Sequence, residues 1–268
     1  MFSVPTVTAS SKPPSGGRSE QPKTTACVLL YGDYPHLAER CLVPLLRLAA
    51  AGLIELRVGC NEISSRTEDF LARWLVERIE NVRVFRSQEN ILKYPMMRLL
   101  FGHGHPLAGP APIRTDFLMW FDDDSYVKHP QPHKWLAETE ARMDGADMLG
   151  SVYTMKAPHT DTQVAWIAAQ PWYGGRPVLN PPKFATGGWW LLRSEIVYRY
   201  NWPVTDILHD GGDTMLGELL NQQDLKLAHY NTGVAINADA QGRESKAERR
   251  GRSGRTPRAG TQPFADRK

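Results

Sequence analysis

The sequence predicts an α/β fold, a single Rossmann-like domain with a mostly parallel central sheet flanked by helices. Three observations carry that reading. Apolar, β-branched runs alternate with helical periods from residue 25 onward, and the links between them are short. One run, "FLMWF" at 117–121, is apolar at every position, as a central parallel strand covered on both faces is. At 268 residues and 41% hydrophobic content the chain can bury the core of one large domain. Its ends differ: 1–24 is Ser, Pro, Thr and Gly without apolar period, and 241–268 is basic with few large apolar side chains. Both read as disordered tails around a domain over 25–240.

The elements follow in order. Residues 25–31 form a strand, a Gly-Asp turn follows, and Leu37, Cys41, Leu42, Leu45, Leu46 and Leu48 mark a helix that Gly52 caps. "IELRVGC" is the second strand. A capping box from Ser65 to Glu68 opens a helix with Phe70, Leu71, Trp74, Leu75 and Ile79 on one face. "NVRVFRS" is the third strand, "KYPMMRLLF" a helix, and "GHGHPLAGPAPIR" a loop leading into the apolar fourth strand. A helix near 132–143 and a strand near 147–153 precede 154–184, which has no clean period but holds Trp166, Trp172 and Tyr173, so it reads as a functional loop. "FATGGWWLLRSEIVYRY" is strand then helix, "HDGGDTMLGELLNQQ" opens a helix, and "LKLAHYN" is a closing strand. Such alternation requires right-handed crossovers.

Composition narrows the class. The formal charge is +3, with the excess in the last thirty residues. No signal peptide and no membrane-spanning window are legible. Cys27, Cys41 and Cys60 are odd in number and lie in strand or helix positions, which implies reduced thiols and a cytoplasmic setting.

The fourth strand ends on Asp122, Asp123 and Asp124. Three adjacent carboxylates repel, so the arrangement costs stability unless a cation or a set of donors neutralises it. The carboxyl edge of an open α/β sheet is where ligands bind. Residues two apart share one side of a strand, so Asp122 and Asp124 can converge on one Mn²⁺ or Mg²⁺, or on an ion and a nucleotide hydroxyl. A solvated acidic turn is the competing reading.

"WFDDDSYV" resembles the acidic metal-binding motif of fringe-type β-1,3-glycosyltransferases, "KFATGGWWLLRSEI" their Gly-Gly segment and "HDGGDTMLGELL" their later acidic segment. "CVLLYGDYPHLAERCLVPLLRL" is similar to the first strand and helix of family-2 glycosyltransferases. Together these cover residues 25 to about 230 in the order of the GT-A nucleotide-sugar fold. The resemblance implies a hexosyltransferase that moves a sugar from a nucleoside diphosphate, most often UDP, to a hydroxyl acceptor, with a divalent ion on the diphosphate. It implies Asp124 as direct ligand, Asp122 on the ion or the ribose, Asp123 beside the nucleotide, and His229 in "LAHYN" as a further metal ligand. A strand-end histidine is more commonly just hydrogen-bonded.

An inverting transfer needs a base within reach of the acceptor proton. Asp210 and Asp213 are the candidates, and the reading leans to Asp210 because Asp213 can serve simply as a helix N-cap. Gly187 and Gly188 would admit the donor sugar, and Trp189 or Trp190 would face it while the other is buried. Tyr31, Gly32 and Asp33 would line the base pocket. Lys93 and Arg98 would reach the diphosphate, with surface charge the equal alternative. Two other readings compete: a DxD metal-dependent phosphohydrolase, and a nucleic-acid-associated protein, including one glycosylating hydroxylated DNA bases, that uses the basic tail.

Overall fold

The structure is a computed structural model that describes residues 21–74, 76–103 and 112–238. The basic tail over 241–268, residues 1–20, Leu75 and much of the Pro/Gly/His loop lie outside the described residues.

Strands β1 (Thr24–Gly32), β2 (Ile54–Ile63), β3 (Val82–Ser87) and β4 (Phe117–Asp122) come from the first half, with helices α1 (Pro35–Ala50), α2 (Ser65–Arg73) and α3 (Lys93–Phe101) between them. A two-residue strand β5 (Tyr126–Val127), α4 (Pro132–Arg142), β6 (Met148–Thr154), α5 (Asp161–Ala168), β7 (Lys183–Arg193), α6 (Ser194–Arg199), α7 (Gly212–Gln222), β8 (Leu227–His229) and β9 (Val234–Ala235) complete the chain. Seven strands form one sheet in the order β3-β2-β1-β4-β7-β6-β8, and β5 pairs with β9 in a small second sheet. Every neighbour pair from β3 to β4 is parallel, and β7 alone runs against the rest.

Apolar residues alternate onto two cores, one on each face of the sheet. Leu42, Leu45, Phe70, Phe121, Trp135 and Trp189 belong to the first, under α1, α2 and α4. Met96, Phe101, Trp120, Trp190, Leu216 and Leu219 belong to the second, under α3 and α7. Each such fully buried side chain stabilises the fold by about 1.5–3 kcal/mol before entropy is counted. Among the described residues no helix is long and apolar enough to cross a membrane.

Three details depart from the sequence reading. α2 is capped one residue early, by Ser64, whose hydroxyl accepts from the Thr67 N–H, and Trp74 beyond its end is 38% exposed rather than on a buried face. The aperiodic stretch hides α5, opened by a capping box between Thr160 and Gln163. Its two-turn length is too short for periodicity to register. Finally, the segment after α5 is strapped to α7. Gln222 accepts from the Gly174 and Arg176 N–H groups, Glu218 accepts from Leu179 N–H at 3.1 Å, and Asn221 and Gln223 donate to the carbonyls of Pro177 and Trp172.

Candidate active site

The carboxyl end of β4, the Gly-Gly segment of β7 and the first turns of α3 and α7 meet at one edge of the sheet. β7 carries extra residues there. Gly150 of β6 pairs with Trp190 and Val152 with Ala185, so 186–188 bulge out of the ladder beside the end of β4. A Cβ on Gly188 would lie 2.3 Å from Asn237 Oδ1 and 2.7 Å from Ser125 Oγ, so only glycine lets the segment after β9 close over the acidic turn. That closure is fixed by the Asn237 N–H to Ser125 Oγ (3.1 Å) and the Ala238 N–H to the Asp124 carbonyl (2.9 Å).

Asp122 answers how an apolar strand can end on like charge. Its Oδ2 accepts from Lys93 Nζ at 2.7 Å and its Oδ1 from the Trp120 indole N–H at 2.9 Å. Lys93 also donates to the Gly187 carbonyl at 2.9 Å. An ammonium and an indole thus offset the first carboxylate. Lys93 is placed by a buried relay at the end of β2. Asn61 donates to Asn90 Oδ1 and accepts from Ile91 N–H, and Asn90 Oδ1 accepts from Leu92 N–H, each at 2.9 Å.

Asp213 stands opposite, in the first turn of α7 behind the N-cap Gly211 at φ +79°. A Cβ on Gly187 would be 3.1 Å from Lys93 Nζ and 3.4 Å from Asp213 Oδ2, so that glycine lies between the two charges. Burial holds the Asp213 carboxyl above the ordinary carboxylate range. The Asp122 charge adds to this, while Lys93 and the N–H groups of Asp213 and Thr214 pull the other way. Of the two candidate bases the geometry brings Asp213, not Asp210, against Lys93 and Gly187. Asp210 lies in the preceding loop.

Asp123 is buried, 4% exposed, and Asp124 is half-buried at the turn. Burial first, then the charges of Asp123, Asp124 and Asp122, push the neighbouring Cys41 thiol up, so it stays protonated and inert. Tyr31, next to last in β1, is in register with Asn61, Gly32 adopts φ +66°, and exposed Asp33 accepts from Ser64 Oγ at 2.5 Å and Arg66 Nη1 at 3.3 Å. All three lie at the same sheet edge as Asp122, which pairs with Leu29.

Three expected site residues sit elsewhere. Arg98 is turned toward the loop after α6, donating to Asn201 Oδ1 at 3.2 Å and to the Pro203 carbonyl. It lies five residues after Lys93 on α3, which puts it on another side of the helix. Trp189 is fully buried among Phe121, Trp135 and Tyr230, whereas Trp190 stacks on Trp120 and reaches the Lys93–Asp213 pocket. His229 pairs in register with Gly150 on β8, three strands along from β4 or about 14 Å at ordinary spacing. Its Nδ1 accepts from the Val152 N–H at 3.1 Å.

Among the described residues no group of three or more His, Cys, Asp or Glu side chains converges on one point. Mg²⁺ and Mn²⁺ do not need one, because they take one or two carboxylates and complete their shells with water and substrate phosphates. Asp124 at the strand end fits that role, with Asp122 available if Lys93 shifts.

Sequence reading missed Asn61, Asn90, Trp120, Ser125 and Asn237; of these only Trp120 and Ser125 had a signal, their place in "WFDDDSYV".

The comparisons agree with this architecture. No family model and no curated protein matches the sequence. Among solved structures, the mannosyltransferase PcManGT from Pyrobaculum calidifontis in complex with GDP-Man and Mn²⁺ is similar, at 15% identity and TM-score 0.51. The match covers 79% of this chain and 55% of that one, so the chain spans little more than half of its length. Residues 1–349 of TarS from S. aureus align at 13% identity, TM-score 0.48, covering 78% and 58% of the two chains. The first of these likenesses, at TM-score 0.51, shows a GT-A-like fold.

Proposed function

We infer that the chain is a metal-dependent glycosyltransferase of the inverting kind, passing a sugar from a nucleoside diphosphate to an acceptor hydroxyl. The observation that carries this is the Asp213 carboxyl, raised by burial, standing across Gly187 from the Lys93–Asp122 pair at the carboxyl edge of a GT-A-like sheet.

Each group has a part. Asp213 accepts the acceptor proton as its oxygen attacks the anomeric carbon, and a carboxyl held above its ordinary range is a stronger base for that purpose. Lys93 faces the departing diphosphate as a positive charge. Asp124 would hold Mn²⁺ or Mg²⁺, joined by Asp122 if Lys93 turns from it to the diphosphate, and the ion would supply charge neutralisation to the leaving group. The Gly187–Gly188 bulge admits the donor sugar, and Tyr31, Gly32 and Asp33 line the nucleotide side. The motif likeness favours UDP-sugars. GDP-mannose, bound in the similar mannosyltransferase structure, is the second donor to test. Three buried thiols suit a reducing, cytosolic compartment.

The test is a thermal-shift panel of UDP- and GDP-sugars with and without Mn²⁺, with mass spectrometry of the products. Metal-dependent stabilisation by a nucleotide sugar and release of its nucleoside diphosphate are expected. Stabilisation by the nucleotide alone, indifferent to metal, would remove Asp122 and Asp124 from the role given them.

A further inference from the structure

Beside Asp213 lies a group with no part in the reading so far. Tyr94, in the first turn of α3, is 3% exposed and packs edge-on against Trp202, with ring centroids 6.3 Å apart. Its phenol is pressed onto the start of α7: a Cβ on Gly212 would sit 2.0 Å from Tyr94 Cζ and 2.3 Å from its hydroxyl oxygen. Burial, with the charges of Asp213 and Asp122, pushes the phenol well above its ordinary range, so it remains an O–H donor. Tyr94, Lys93, Gly187, Trp190, Trp202 and Asp213 line one pocket.

We propose that Tyr94 and Asp213 form an alcohol-recognition pair, in which the Tyr94 hydroxyl donates to the acceptor oxygen while the Asp213 carboxylate accepts that oxygen's proton. An alcohol is both donor and acceptor, and a phenol beside a carboxylate satisfies both functions at once. The proposal rests on the glycosyltransferase reading and assigns the acceptor side of the site. In the transfer the acceptor oxygen bonds to the anomeric carbon, its proton passes to Asp213, and the carbon–oxygen bond to the diphosphate breaks with the electron pair leaving on phosphate. Tyr94 keeps its proton throughout. It orients a lone pair of the nucleophile toward the sugar, and a site built to hydrogen-bond a hydroxyl discriminates strongly by that contact.

Tyr94→Phe removes one oxygen and leaves the ring against Gly212 and Trp202. The experiment uses the full chain with Mn²⁺, UDP-glucose, UDP-N-acetylglucosamine and GDP-mannose as donors, and methyl glycosides and glycerol as acceptor probes. The variant is expected to raise acceptor KM about tenfold, the scale of one lost hydrogen bond to an oriented hydroxyl, with donor KM and the nucleotide-induced Tm shift unchanged. An unchanged acceptor KM overturns the pair while leaving the glycosyltransferase reading intact. A fall in kcat at constant acceptor KM assigns Tyr94 to holding Asp213 in place and also overturns it. A wild-type chain that neither binds nor turns over any of these donors overturns both readings together.

Discussion

Lys93 and Asp122 are 2.7 Å apart, with side chains 13% and 23% exposed, and the same ammonium reaches the Gly187 carbonyl. The pair joins α3 to the end of β4 and fixes the floor of the site. A charge pair this enclosed is costly to break on one side, because the remaining ion is stranded with little water.

Lys93→Met is therefore expected to lower stability by about 1–3 kcal/mol and to weaken nucleotide-sugar binding at least tenfold. Denaturant melts and a nucleotide titration read the two effects separately. The double variant Lys93→Met, Asp122→Asn should regain part of the stability but none of the binding. A single variant as stable as wild type would show that the pair contributes nothing to the fold.

Asp213→Asn keeps the shape of the carboxyl and removes the proposed base. Turnover should fall by about 10²–10⁴, the usual contribution of a positioned base, with donor affinity nearly unchanged. Asp210→Asn should cost far less. The wild-type rate should rise with pH as Asp213 loses its proton, along a limb centred above the ordinary carboxylate range, since burial raises that group. A limb in the ordinary range would detach the activity from Asp213.

Asp124→Asn leaves a neutral amide where a hard cation wants a charged oxygen. Metal-dependent stabilisation by nucleotide sugar should disappear while the Tm of the unliganded protein moves by no more than a few degrees. Wild-type response to Mn²⁺ in this variant would put the ion elsewhere.

His103 gives a pH signature of folding. Its Nε2 lies 2.7 Å from the Trp202 carbonyl, and burial, then the nearby Arg98 charge, pushes its pKa from 6.5 down to about 4. A lowered folded pKa means that the neutral ring stabilises the native state above pH 6.5, and that this contribution fades as the pH falls toward about 4. Discounted for its partial exposure, the effect is about 1–2 kcal/mol. Urea melts across that window should show it, and His103→Gln, which keeps a polar group in the site, should flatten the profile.

The fold was legible in the sequence wherever apolar periodicity ran long enough. Leu37 through Leu48 marked α1, "FLMWF" marked the central strand, and Gly52 marked the end of α1, where it adopts φ +72°. The acidic turn, Lys93 and the Gly-Gly segment were legible too, because charge beside an apolar strand and paired glycines are rare signals. Asn61, Asn90 and Asn237 were not. Asn61 meets Ile91 N–H and the Asn90 side chain, and Asn237 meets Ser125, all distant in sequence, and an asparagine in a linear chain gives no sign of which group it will meet. Which of Trp189 and Trp190 reaches the pocket was left open for a related reason. The bulge at 186–188 resets which side of β7 each residue takes, and only pairing with β6 reveals it. His229 was placed by analogy at a strand end, whereas strand order decides how far that end lies from the aspartates.

The strap between α7 and the segment 172–179 ties one helix to two distant places. Asp213 rides at its start, while Glu218, Asn221, Gln222 and Gln223 toward its far end grip the segment 172–179. Rolling α7 by a single residue would swing both by about 100°. A change within 172–179 that loosened those four grips would therefore reach Asp213 through the helix itself.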